Sequence, residues 1–255
     1  MAANVFYRAL EEPAEFDRVV DLEIAVWGLD PRDAVPANML RAIAHGGGLI
    51  NGAFVDDELV GMAMMFPARQ GDRRILWSHM SAVRPDLQAN GIGVRLKQEQ
   101  RAWALANGYD EICWTFDPLQ RGNANFNLRR LGASANTYHV NFYGTMTDTI
   151  NAGMPSDRLE ACWRLTEASH RVDDDLDAPV LLAVGESDQP VQRQPLDGSA
   201  PTYIACIPSN LRSLDVSTAL AWRLALRETL LSAFKCGYAA VDFLPKRDAV
   251  ILHKL

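Results

Sequence analysis

The chain has 255 residues and a mass of 28.2 kDa, is 48% hydrophobic against 22% charged, and carries a net charge of −7. At about 150 residues per domain this is one enlarged domain or two modest lobes, with a core large enough to exclude disorder. Residues 1–150 hold 14 basic and 18 acidic side chains and residues 151–255 hold 11 and 14. Neither half is therefore a basic module, and a pI near 5.2 argues against a nucleic-acid partner.

The cysteines Cys113, Cys162, Cys206 and Cys236 form no C-x-x-C pair and have no histidine at metal-ligand spacing. They read as small buried hydrophobes in a reducing compartment, with no metal. The start, MAANVFYRALEEP, has neither a basic region nor a sustained apolar run, and no window reaches the ~18 apolar residues of a membrane span. A cytoplasmic protein without membrane contact is expected.

In chain order, residues 4–9 read as a strand, and Pro13 opens a helix whose Phe16, Val19, Val20, Leu22, Ile24 and Trp27 share one face until Gly28. A shorter helix fits residues 37–44. The runs 49–55 and 59–66, separated by Asp56-Asp57-Glu58, read as an antiparallel hairpin, and 75–83 as a strand stopped by Pro85. A glycine-bearing turn leads into a helix over 94–107 with Val94, Leu96, Ala102, Trp103 and Leu105 on its buried face and Gly108 at its end. Residues 111–116 read as a strand, 123–131 as a helix closed by Gly132, and 137–143 as a strand. Beyond residue 150 come strands at 159–165, 180–184 and 203–207, a loop over 185–199, a long helix capped by Asp215 and running to Cys236, and a closing hairpin, 238–244 with 249–254.

The turn before the helix at 94 carries the chemistry. A helix N-terminus offers unpaired N–H groups and about half a positive charge, and Gly91 and Gly93 let ligand oxygens approach the backbone. Arg84, Arg95, Lys97 and Arg101 against Asp86 and Glu99 make residues 84–101 net +2, a local sign that favours phosphate. A Walker loop is absent, and a dinucleotide fingerprint fails because Leu96 stands where its third glycine belongs.

The stretch Val83-Arg84-Pro85-Asp86-Leu87-Gln88-Ala89-Asn90-Gly91-Ile92-Gly93 resembles the V-x-P-x-x-[QR]-x-x-G-x-[GA] core of the GNAT acyl-CoA N-acyltransferase superfamily at every specified position. The order of flanking elements agrees over roughly residues 4–145. In the family's following helix pattern Ala124 and Gly132 keep their places, while Arg121, Leu128 and Ala133 replace the usual asparagine, tyrosine and phenylalanine.

The resemblance implies an α+β fold: a mixed, mainly antiparallel sheet flanked by helices over 1–150, with an additional C-terminal α+β lobe over 151–255 completing or covering the acceptor site. It implies an acyl-CoA co-substrate, acetyl or another acyl group such as succinyl, and direct attack by the amine of a small molecule or amino acid. The strand before the loop should splay from its neighbour so that Ser81, Ala82 and Val83 pair with the pantetheine amides. Gln88, Ala89, Asn90, Gly91, Ile92, Gly93 and Val94 should hold the diphosphate, and Asn123 and Asn125 should contact the arm. For the base, His79 shares strand parity with Trp77, Ser81 and Val83 and has a suitable pKa, and a water relay is the alternative. With the tyrosine replaced by Leu128, either no acid is needed or Tyr138 or Tyr143 supplies it. Glu23 and Trp27 could seat the amine, and Arg223 and Arg227, four apart beside Leu220, Leu224 and Leu231, could clamp a carboxylate. The family favours a homodimer. A non-catalytic acyl-CoA sensor or interaction protein is the alternative function.

Overall fold

The computed structural model describes residues 4–88, 90–144 and 154–255, and its chain divides into two compact units. Of the described residues, the first holds those up to Trp114 together with Arg164–Thr166, and the second holds the others. The boundary expected between residues 150 and 151 lies outside the described residues.

The first unit begins with strand β1 (Phe6–Ala9) and helices α1 (Pro13–Trp27) and α2 (Ala37–His45). Pro13 sits at the start of α1, where a missing N–H costs nothing, and Gly28 ends it at φ +64°. Strands β2 (Leu49–Val55), β3 (Glu58–Gln70) and β4 (Arg73–Val83) follow, then helix α3 (Ile92–Ala106) and strand β5 (Glu111–Phe116), which belongs to this unit through Trp114. The order is β1-β2-β3-β4-β5, antiparallel up to β4, with β5 parallel to β4. Phe16, Val19, Leu22 and Leu40 of α1 and α2 pack with Ile50, Met62 and Met64 in one core. Ile92 and Leu96 of α3 pack with Ala53, Val60 and Ala63 in another.

The second unit holds the short helix α4 (Arg121–Ala124), widened into a π-helical turn over Asn125–Arg130, where Leu131 N–H donates to the Phe126 carbonyl at 3.0 Å. Strands β6 (Ser134–His139), β7 (Arg158–Arg164), β8 (Val180–Val184), β9 (Pro190–Gln192) and β10 (Thr202–Cys206) precede the long helix α5 (Val216–Lys235) and the hairpin β11 (Tyr238–Leu244) with β12 (Ala249–Lys254). Their order is β7-β6-β11-β12-β10-β8-β9, with β8 and β10 parallel and the rest antiparallel. Asp215 caps α5 by accepting from the Thr218 N–H at 3.0 Å, as its position before an apolar run predicts.

Three expectations are corrected. The strand at 137–143 ends at His139, so Tyr143 sits in a turn. The loop over 185–199 contains β9. The free thiols are Cys206, half-buried, and Cys236, exposed, while Cys113 and Cys162 are not free, so the reading of four buried thiols fails. Among the described residues no helix is long and apolar enough to cross a membrane.

Candidate active site

Strand β4 pairs with β3 along its whole length, from Arg73 opposite Gln70 to Val83 opposite Gly61. Its pairing with β5 is confined to Leu76 with Ile112 and Trp77 with Cys113. Beyond Trp77 the two strands part, and β4 runs on through Ser78, Ser81, Ala82 and Val83 with its β5-side edge out of the ladder. Backbone N–H and C=O groups are strong obligatory hydrogen-bonding groups, so such an edge is a ready partner for an amide-bearing ligand. Ala82 is buried and Ser81 and Val83 are half-buried.

A β-bulge interrupts β4 at this point. Met65 pairs with Ser78 and Met64 with Met80, which leaves His79 as the extra residue. The expectation that His79 shares a face with Trp77, Ser81 and Val83 by alternation is therefore corrected, because an inserted residue breaks the two-residue period. His79 is solvent-exposed, its ring tilted against Phe66 at 6.4 Å, yet the protein around the ring lowers its pKa by desolvation.

The loop after β4 is braced from within. The Gln88 side-chain amide donates to the Val83 carbonyl at 3.0 Å, and the Arg84 guanidinium binds Asp86 at 2.7 Å and Glu58 at 2.6 Å. Gly91 turns the chain at φ +81°, a conformation that costs an L-residue about 1–2 kcal/mol, and a Cβ placed there would meet nothing within 4 Å. The first intrahelical bond of α3 runs from the Arg95 N–H to the Gly91 carbonyl at 3.0 Å. The N–H groups of Ile92, Gly93 and Val94 precede it, at the end of the helix where the dipole is positive. Asn90 is exposed, and Ala89 lies outside the described residues.

The local charge of +2 does not stand open at this loop. Arg84 is held by two carboxylates, Arg95 pairs with Glu99 at 2.6 Å, Arg101 donates to the Leu165 carbonyl at 2.6 Å, and Lys97 is buried. The anion-binding capacity of the loop rests on its main chain.

Lys97 is the residue that sequence reasoning passed over. The buried face of α3 is Ile92, Leu96, Lys97, Gln100 and Ala104, while Ala102 and Leu105, placed there by periodicity, are exposed. Lys97 Nζ donates to Ser78 Oγ at 2.7 Å and lies 4.1 Å from the centre of the Trp114 ring, and Ser78 Oγ donates to Gln100 Oε1 at 3.1 Å. Burial pushes the lysine pKa down to about 7.

The remaining candidates are dispersed. On α1, Glu23 is buried; one carboxylate oxygen accepts from the Val35 N–H at 3.0 Å, the other has no partner, and desolvation pushes its pKa up to about 7. Trp27 is half-buried against the same core. In the second unit Asn123 is exposed, Asn125 half-buried and Leu128 fully buried. Tyr138 donates to Asp157 at 2.7 Å, and burial followed by that bond raises its pKa. Tyr143 is exposed, 3.1 Å from Thr115 Oγ1, with the Arg158 guanidinium over its ring at 5.3 Å. Arg223 forms two bonds to Asp117, at 2.5 and 2.8 Å, and Arg227 two to Asp157, at 2.8 and 3.0 Å. Arg223 is buried, whereas Leu220, Leu224 and Leu231 lie exposed on α5, so the expected stripe beside both arginines is corrected.

Comparison with known proteins bears on the fold that carries this site. Residues 12–133 match the model of the acetyltransferase (GNAT) family. Among solved structures, the ribosomal-protein-S18-alanine N-acetyltransferase of Escherichia coli superposes with a TM-score of 0.52 at 14% identity, over 67% of this chain and 99% of that one. An N-acetyltransferase of Staphylococcus aureus Mu50 gives 0.52 at 13% identity over 64% and 100%. The yncA protein of Salmonella typhimurium, solved with its cofactor acetyl-CoA, gives 0.51 at 15% over 68% and 100%. At these identities the likeness is one of fold, and no curated protein matches the sequence. Residues 12–133 thus match the acetyltransferase (GNAT) family model, and the chain shares the fold of the GNAT acetyltransferases.

Proposed function

We propose that the protein transfers an acetyl group from acetyl-CoA to the amine of a small molecule or amino acid by direct attack within a ternary complex. The observation that carries this reading is the fork between β4 and β5, open beyond Trp77 and leading into the Gly91 turn. On this reading the α3 N-terminus receives the diphosphate, the unladdered edge of Ser81–Val83 receives the pantetheine amides, and a main-chain N–H at the His79 bulge faces the developing oxyanion. His79, its pKa lowered by desolvation, is neutral at pH 7 and able to accept the amine proton directly or through water.

Acetyl is favoured over a dicarboxylic acyl group because the guanidiniums of Arg223 and Arg227 are already bound to Asp117 and Asp157. A net charge of −7 favours a cationic acceptor. The test is thiol release from acetyl-CoA and from succinyl-CoA with a panel of amino acids, polyamines and amino sugars, alongside calorimetric titration with CoA. Release with acetyl-CoA and one class of amine is expected; absence of both release and CoA binding overturns the reading. Leu128, fully buried where the family resemblance implies a tyrosine, favours a second reading, an acyl-CoA sensor, which would show binding without turnover.

A further inference from the structure

Lys97 occupies an unusual place. Ser78 is the first residue of β4 past the last β4–β5 pair, Trp77 with Cys113, and Trp114 is the first residue of β5 past the same pair. Lys97 Nζ bonds to Ser78 Oγ at 2.7 Å and lies 4.1 Å from the Trp114 ring. It therefore bridges the two prongs at the closed end of the fork. Its residue is 3% exposed, and among the described residues Ser78 is the one hydrogen-bond acceptor for an ammonium with three donors.

The carboxylates on the surrounding elements are directed elsewhere. Glu99 of α3 pairs with Arg95, Glu111 of β5 with Arg73 and Glu58 of β3 with Arg84, while β2 carries no charged residue. His79, the other titratable group of this part of β4, is exposed. A buried cation bonded to a hydroxyl and set over an aromatic ring, with donors to spare, fits an anion that arrives with a ligand.

Resting on the acyl-CoA reading above, we propose that Lys97 is the acid of the reaction, meeting the coenzyme A sulfur at the apex of the fork and protonating it as it leaves. The amine nitrogen bonds to the thioester carbon and gives its proton to His79 or water. When the tetrahedral adduct collapses, the C–S bond breaks and its electron pair goes to sulfur. Lys97 then transfers a proton from Nζ to that thiolate and is recharged from solvent, so that amine and thioester become amide and thiol. A thiol of CoA has a pKa near that of cysteine, about 8.5. An ammonium desolvated to about 7 gives up its proton to such a thiolate downhill and is still half-charged at neutral pH. The same cation takes over the task of the tyrosine that Leu128 replaces.

The test needs no acceptor. Wild type and Lys97→Met are titrated calorimetrically at pH 7, where Lys97 is half-charged, with CoA and with desulfo-CoA, and the thiolate absorbance near 240 nm of bound CoA is followed from pH 5 to 9. The wild type is expected to bind CoA at least tenfold more tightly than desulfo-CoA, with the bound thiol titrating at least one pH unit below its value in the variant. In Lys97→Met the sulfur-dependent preference disappears, while desulfo-CoA affinity stays within threefold and so reports an intact fold. Equal thiol titration in the two proteins, with CoA bound by both, overturns the role of Lys97 and leaves the acyl-CoA reading standing. No binding of either ligand to the wild type removes the acyl-CoA reading itself. If Lys97→Met fails to fold, Lys97→Arg serves: it keeps a cation that cannot titrate in this range, and an unchanged pH dependence of the bound CoA thiolate absorbance in that variant also overturns the proposal.

Discussion

In the second unit the buried carboxylates face cations: Asp117 meets Arg223, Asp157 meets Arg227, and Asp242 meets Arg129 at 2.7 Å. In the first unit Lys97 and Glu23 are as deeply buried, yet among the described residues neither has an opposite charge, and the side chains of Glu23, Asn51 and Gln100 each leave one buried polar atom without a partner. The difference separates two uses of polarity. A closed pair serves architecture, because once both charges are inside, each is needed to offset the desolvation of the other. A lone buried charge costs stability and persists where a ligand or a reaction uses it. The second unit pairs Arg223 and Arg129 with carboxylates; the first, among the described residues, leaves Lys97 and Glu23 buried without an opposite charge.

The largest expected effect tests the closed half of this contrast. Asp117→Ala leaves the Arg223 guanidinium buried at 1% exposure, with Nε already unpartnered, and should cost about 3–5 kcal/mol in urea denaturation. The double variant Asp117→Leu, Arg223→Met should recover most of that loss, since a hydrophobic replacement removes the uncompensated charge. A cost below about 1 kcal/mol for the single variant would break the comparison and return Arg223 to the list of ligand-binding candidates.

Lys97 tests the open half through pH. Its folded pKa of about 7 lies well below the ordinary 10.5, so between those values the unfolded chain binds a proton that the folded chain does not. Stability should therefore rise as pH increases from about 7 to 10, by on the order of 4 kcal/mol, and the full penalty is present below pH 7. Lys97→Met should flatten this slope and raise the melting temperature at pH 7. A slope of the same size in the variant would assign it to other groups.

Glu23 has the opposite sign in the adjacent window. Its folded pKa of about 7 lies above the ordinary 4.5, so the folded chain holds the extra proton and stability falls as pH rises from about 4.5 to 7, by on the order of 3 kcal/mol. Together the two groups give the first unit a minimum of stability near neutral pH. Glu23→Gln keeps a side-chain oxygen to accept from Val35 and should remove the acidic limb, leaving the alkaline one untouched. Thermal unfolding of both variants across pH 5–10 separates the two limbs.

Much of the fold was legible because its elements carry local signals. Residues 49–55, 111–116, 238–244 and 249–254 are strands with the bounds that alternation and flanking turns indicate, and Pro13 and Gly28 mark the ends of α1. The loop was legible because glycine takes a positive φ without the steric cost that a side chain adds. The bulge at His79 was not, since a single inserted residue leaves no mark in a strand that alternates poorly. Lys97 was hidden for a related reason: a hydrophobic-face argument assigns a lysine to solvent, and here the buried stripe of α3 contains both Lys97 and Gln100. Arg223 and Arg227 were placed on one face by spacing, but only tertiary contacts show that Asp117 and Asp157, more than sixty residues away in sequence, hold them.

The smallest effect on stability is the sharpest test of the loop. Gly91→Ala forces an L-residue into φ +81° and should cost about 1–2 kcal/mol through that conformation alone, because an added methyl group meets no protein atom within 4 Å. Any loss of CoA affinity beyond that which the backbone strain explains then reports a ligand pressed against the turn. A tenfold or greater rise in Kd, with the melting temperature lowered by only a few degrees, is expected for a diphosphate lying on the N–H groups of Ile92, Gly93 and Val94. If affinity stays within threefold, the open donors of the first unit face solvent rather than substrate, and the contrast between a self-satisfied unit and a ligand-ready one loses its clearest instance.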